Sequence, residues 1–128
     1  MSEPYFDKEA NTGLRHLINA TRFSLNGLRI AFRKEAAFRQ ELAILLLALP
    51  VGWYLASSLL EFVLLIASLL LVITVELLNS AVEATVDRIG TDHHELAGEA
   101  KDLGSAAVMV SIALSLMVWL AVASQHVF

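Results

Sequence analysis

Polar and apolar positions fall into distinct blocks along the chain. In residues 13–33, Leu14, Leu17, Ile18, Thr21, Leu25, Leu28 and Phe32 recur at steps of one, three or four, opposed by Arg15, Asn19, Arg22, Asn26, Arg29 and Arg33. That spacing predicts a basic amphipathic helix suited to lie on a membrane surface or to pack on its own bundle. Residues 42–60 hold no Asp, Glu, Lys or Arg, enough helix to cross about 30 Å of hydrocarbon. The first span is therefore expected within a helix over 36–60, with Pro50 accommodated by neighbouring helices. Ser57, Ser58 and Glu61 then reverse the chain.

The next apolar run, 62–75, reaches only about 21 Å as a helix and must continue through Glu76. Leu77, Leu78, Ala81, Val82, Ala84, Thr85 and Val86 extend it, predicting one helix over 62–89 that Gly90, Thr91 and Asp92 end. Residues 103–124 carry no formal charge and form the third span, in a helix over 94–124. The predicted fold is all-α: an amphipathic surface helix followed by three transmembrane helices, in one domain over 1–128.

Composition agrees with that pattern. Hydrophobic residues make up 57% of the 128 residues and charged ones 17%, with a mean hydropathy of +0.66. A soluble chain of this size would lack the polar surface to cover itself. There is no room for a separate nucleotide-binding domain, and the absence of cysteine excludes disulfides and thiolate metal sites. No basic segment, apolar stretch and small-residue cleavage site open the chain, so the first span is expected to be retained.

The net charge of −4 matters less than where the charges lie. Lys8, Arg15, Arg22, Arg29, Arg33, Lys34 and Arg39 precede the first span, and Arg88 and Lys101 fall between the second and third. The positive-inside rule places the N-terminus and the second connection in the cytosol, with the first turn and the C-terminus outside.

Polar groups gather at that cytosolic level. Glu76, Asn79, Ser80, Glu83 and Asp87 form one stripe of the second span, and an ionisable group at Glu76's depth is costly unless it faces protein, water or a cation. Glu35 and Glu41 precede the first span, and Lys101 and Asp102 precede the third. Carboxylates from separate helices repel one another unless a cation joins them, and oxygen ligands suit Mg²⁺. A nucleotide would bring that metal, Lys101 and the surface-helix arginines would neutralise phosphate oxygens, and a partly buried glutamate would accept a hydroxyl proton. Adjacent His93, His94 and Glu95 lack the His-Glu-x-x-His spacing and are not assigned to a metal. Gly104, Ser105, Ala106 and Ala107 read as close helix packing. No Walker A or kinase glycine loop is present.

Three stretches carry a family resemblance: Glu35-Ala-Ala-Phe-Arg-Gln-Glu41, Glu76-Leu-Leu-Asn-Ser-Ala-Val-Glu83-Ala-Thr-Val-Asp-Arg-Ile-Gly90, and His94-Glu-Leu-Ala-Gly-Glu-Ala-Lys-Asp102-Leu-Gly-Ser-Ala-Ala107. The chain closely resembles the small integral-membrane diacylglycerol kinases of Gram-negative bacteria, from about Gly13 to the end of the third span. The resemblance implies a homotrimer in the inner membrane with active sites shared between subunits, using ATP and Mg²⁺ to convert diacylglycerol to phosphatidic acid. No nucleic-acid partner is expected.

By position, Glu76 looks like the general base, and Glu35 and Glu83 like metal ligands that also touch the nucleotide. Asn79, Lys101 and Asp102 look like groups that order the phosphates. The resemblance adds Asp87, Arg15, His16 and Phe23 to the nucleotide site. Thr21, Ser24, Arg39 and Glu41 join Glu76 on the lipid side, with Ser80 in support. Phe23-Ser24-Leu25-Asn26-Gly27 departs from the enteric Tyr-Ser-Trp-Lys-Gly pattern. His16 aligns with the family's early arginine, and Glu99 stands where an arginine precedes Ala-Lys-Asp. Two other readings are an undecaprenol kinase, the Gram-positive use of the same fold, and a small proton-coupled transporter using Glu76. The Gram-negative style of the motifs opposes the first, and the layer of acids with Lys101 opposes the second.

Overall fold

The computed structural model describes residues 12–127, which form four α-helices: α1 (Gly13–Lys34), α2 (Ala36–Leu55), α3 (Leu59–Ile89) and α4 (Glu95–Val127). Lys8, counted above for orientation, lies outside the described residues. The chain separates into two compact units after Lys34. The described part of the first is α1, with Leu14, Leu17, Ile18, Leu25 and Phe32 exposed on the same helix as Arg15, Arg22 and Arg29. The helix expected over 13–33 is present, ending at Lys34.

The second unit holds α2, α3 and α4, each long and apolar enough to cross a membrane. Their 20, 31 and 33 residues correspond to about 30, 46 and 50 Å of helix. α3 is the central element: it packs most extensively on α4, then on α2, while α2 and α4 scarcely touch. Large side chains such as Leu46, Leu47, Trp53, Met109, Leu116 and Met117 stay exposed. A surface so apolar suits lipid or further copies of the chain better than water.

The α3–α4 hairpin is held by small and polar groups. Ser68 Oγ donates to the Leu65 carbonyl at 2.8 Å, which uses its only proton. The buried 2.9 Å contact between Ser68 and Ser115 hydroxyls is therefore donated by Ser115. Trp119 Nε1 also reaches the Leu65 carbonyl, at 3.1 Å. A Cβ at Gly52 of α2 would lie 3.4 Å from the Trp119 ring, so this one indole touches all three helices. Small residues let helix backbones approach where lipid offers no hydrophobic drive for association.

Four boundaries of the spanning helices differ from the expected ones. α2 stops at Leu55 rather than at 60, and Leu59 and Leu60 open α3, expected to begin at 62. Ser58 is the reason: its hydroxyl accepts the Glu61 N–H at 3.2 Å, while the Glu61 carboxylate accepts the Ser57 N–H at 2.7 Å. This reciprocal cap starts a helix inside an apolar run that hydropathy alone leaves unbroken. At the other turn His94 Nδ1 accepts the Leu96 N–H at 3.1 Å, so α4 begins at Glu95 rather than 94, and it runs past Ser124 to Val127.

Candidate functional site

α3 buries a stripe of Leu65, Ser68, Val72, Ile73, Glu76 and Asn79. The same helical period that turns apolar residues inward therefore turns Glu76 and Asn79 inward one and two turns beyond Ile73. Glu76 is 8% exposed and lies about 26 Å along α3 from Leu59. Farther along, Glu83 is half-buried and Asp87 exposed, as the helix leaves the packed region.

α2 supplies its first turns to this level. Glu35 is the N-cap residue of α2 but makes no side-chain cap hydrogen bond. Phe38, 3% exposed, anchors the turn. Glu41 is half-buried, with Oε2 buried and without a hydrogen-bond partner. Glu35 and Glu83 act electrostatically on Glu76, and Glu76 acts on Glu41. Acids of α2 and α3 thus lie within electrostatic reach of one another.

α4 contributes the cation. Lys101 Nζ donates to Asp87 Oδ1 at 2.8 Å across the hairpin and also lies in the field of Glu83. Both members of the pair are exposed, so its value is positional more than energetic. Beneath them a cavity of about 250 Å³ is lined by Asp87, Thr91, Asp92, His93, His94 and Lys101, below the about 300–1,000 Å³ usual for a ligand pocket. Asp102 is exposed.

Asn79, like Glu41, keeps a buried oxygen without a partner. Its Oδ1 is buried without a partner, and Nδ2 reaches Glu83 Oε1 only at 3.5 Å. A buried amide left in that condition costs about 1–3 kcal/mol and marks a place where a ligand or ordered water belongs.

The donor set fits a hard cation. The converging ligands are all carboxylate or amide oxygens, yet no group of three His, Cys, Asp or Glu residues among the described residues could enclose a metal ion. Hard oxygen donors of this kind suit Mg²⁺, which takes one or two carboxylates and otherwise phosphate oxygens and water.

Glu35, Glu41, Glu76, Asn79, Glu83, Asp87 and Lys101 are thus assembled within the second unit. Arg39 is exposed in the early turns of α2. Arg15, His16, Thr21, Phe23 and Ser24 are exposed on α1, in the other unit, and Thr21 Oγ1 donates to the Leu17 carbonyl at 2.9 Å. Sequence reasoning treated Gly104 only as packing, but Gly104 abuts the Asn79 amide. No local signal could have found it, because the contact depends on the axial register of α4 against α3.

The sequence profile of the prokaryotic diacylglycerol kinase family matches residues 22–123. A diacylglycerol kinase of Haemophilus influenzae is 51% identical over 108 residues, covering 84% of this chain and 92% of the relative. One of Escherichia coli K12 is 48% identical over 115 residues, covering 90% and 94%. One of Pseudomonas aeruginosa is 47% identical over 111 residues, covering 87% and 90%.

Proposed function

The chain belongs to the prokaryotic diacylglycerol kinase family and is a lipid kinase that uses ATP; we propose that it works with Mg²⁺, as a homotrimer, at the cytosolic face of the inner membrane. Residues 1–128 act as one kinase domain, with α1 on the membrane surface, the N-terminus cytosolic and the C-terminus periplasmic. The observation that carries the site assignment is the burial of Glu76 and Asn79 on the core stripe of α3, with Glu76 in the electrostatic field of Glu35 and Glu83.

In this reading Glu76 accepts the proton of the diacylglycerol hydroxyl as its oxygen attacks the γ-phosphorus. The bond from that phosphorus to the β–γ bridging oxygen breaks, and ADP leaves as phosphatidic acid forms. Little covalent chemistry falls to the protein, so positioning and charge stabilisation dominate. Glu35 and Glu83 would hold the divalent cation, which supplies neutralisation of the β- and γ-phosphate oxygens. Asn79, Lys101 and Asp102 order the phosphates, and Lys101 exchanges its Asp87 partner for phosphate when nucleotide arrives. Asp87, Arg15, His16 and Phe23 complete the nucleotide contacts, and Thr21, Ser24, Arg39 and Glu41 hold the lipid with Glu76.

The polar cavity of a single chain is small for a nucleotide, and α2 and α4 leave an open flank. Both features support sites completed by neighbouring subunits.

The direct test is thin-layer analysis of product from γ-labelled ATP. Label should enter diacylglycerol, depend on Mg²⁺ and appear in phosphatidic acid. Transfer to undecaprenol but not diacylglycerol would overturn the substrate, and no ADP production with either lipid would favour proton-coupled transport.

A further inference from the structure

Gly104 of α4 and the Asn79 side chain of α3 compete for the same space. Asn79 is 9% exposed, and its amide oxygen stands where a Cβ on Gly104 would be built, with Cγ 3.2 Å from that position. The obstructing atom is the end of a side chain rather than backbone. An added methyl group would therefore leave the helix pair intact and displace the amide instead. Alanine is also the better helix former, so backbone propensity favours the substituted chain. What it would disturb is the placement of Oδ1, which has no partner within the described residues, and of Nδ2, which faces Glu83.

We propose that Gly104 is a positioning residue for the phosphoryl transfer: lacking a side chain, it holds the Asn79 amide in the orientation that presents it to the phosphates beside Glu83. This rests on the reading of Asn79 as a group that touches the nucleotide. It assigns Gly104 a role distinct from the close packing of neighbouring small residues. Ser105, Ala106 and Ala107 are all exposed.

The test compares Gly104→Ala, Asn79→Ala and the double variant in lipid micelles. Gly104→Ala is expected to lower kcat by on the order of a hundredfold, the usual scale for a displaced catalytic group. KM for Mg-ATP and for diacylglycerol should stay within about twofold of the parent, because only an orientation is lost. Resistance to unfolding by SDS should be undiminished, and the Asn79 side-chain ¹⁵N–¹H₂ resonance should shift. In the Asn79→Ala background Gly104→Ala should lower turnover no further, since the amide it displaces is gone.

Full turnover in Gly104→Ala alongside an impaired Asn79→Ala would overturn this inference and leave the reading of Asn79 standing. So would a loss of kcat that tracks lost folded protein, or losses that multiply in the double variant. Full turnover in Asn79→Ala would overturn both.

Discussion

Ser68 on α3 and Ser115 on α4 share a buried hydroxyl contact of 2.9 Å. Asn79 lies as far along α3 from Ser68 as Gly104 lies from Ser115 along α4, so one antiparallel register governs both the middle of the hairpin and the site. One alignment of the two helices brings the serines together and decides what meets Asn79.

Removing that pair tests its share of stability. Ser115→Ala is expected to cost about 0.6 to 1.7 kcal/mol, the range of interhelical hydrogen bonds in lipid. Ser115→Leu, which must force extra methylenes into the seam, should cost about 1–3 kcal/mol. Reversible SDS titration followed by circular dichroism measures both. For Ser115→Ala the KM for Mg-ATP should not change, because the site's side chains keep their positions.

Glu76 and Glu83 should separate chemistry from binding. Glu76→Gln keeps shape and hydrogen-bonding capacity but cannot take up the hydroxyl proton, so kcat should fall by at least the 10²–10⁴-fold typical of general-base loss. Mg-ATP binding should stay measurable. Glu83→Gln should also weaken Mg-ATP binding, read as a raised KM and a raised Mg²⁺ requirement. Near-parental turnover in Glu76→Gln would remove the base assignment.

Asp87 holds Lys101 at 2.8 Å. Because both groups are exposed, Asp87→Asn should leave resistance to unfolding unchanged. Its effect should appear in nucleotide affinity as a severalfold change in KM for Mg-ATP, and the change should shrink as salt screens the site. Titration of a fluorescent ATP analogue at two ionic strengths measures this. A large loss of stability with unaltered nucleotide affinity would mean the pair is structural.

The chain contains no cysteine, so single introduced thiols report topology without background. Ser57→Cys, at the α2–α3 turn, should react in intact cells with a membrane-impermeant maleimide able to cross the outer membrane. Asp92→Cys, at the α3–α4 turn, should react only after the inner membrane is permeabilised. The reverse pattern would invert the orientation that places the acids and Lys101 in the cytosol.

Much of this was legible in the chain itself because it is local. Uncharged runs long enough to cross hydrocarbon, a helical period with arginines opposite leucines in 13–33, and acids on one stripe of the second span depend only on residues near one another in sequence. Those features determined an all-α membrane protein with a polar layer containing Glu76, and the quoted motifs pointed to its family. The ends of α2 and α3 were less legible because Ser58 and Glu61 cap a helix through two specific hydrogen bonds, which hydropathy does not register.

Contacts between helices required the tertiary structure. Trp119 spans from the Leu65 carbonyl to Gly52, Ser115 meets Ser68, and Gly104 makes room for the Asn79 amide, all fixed by the axial register of one helix against another. Sliding α4 by a single turn would leave every helix, every apolar run and every charge where the sequence puts them. It would also separate Asn79 from Gly104, because register is set by the fit of side chains across the seam and not by the composition of either helix.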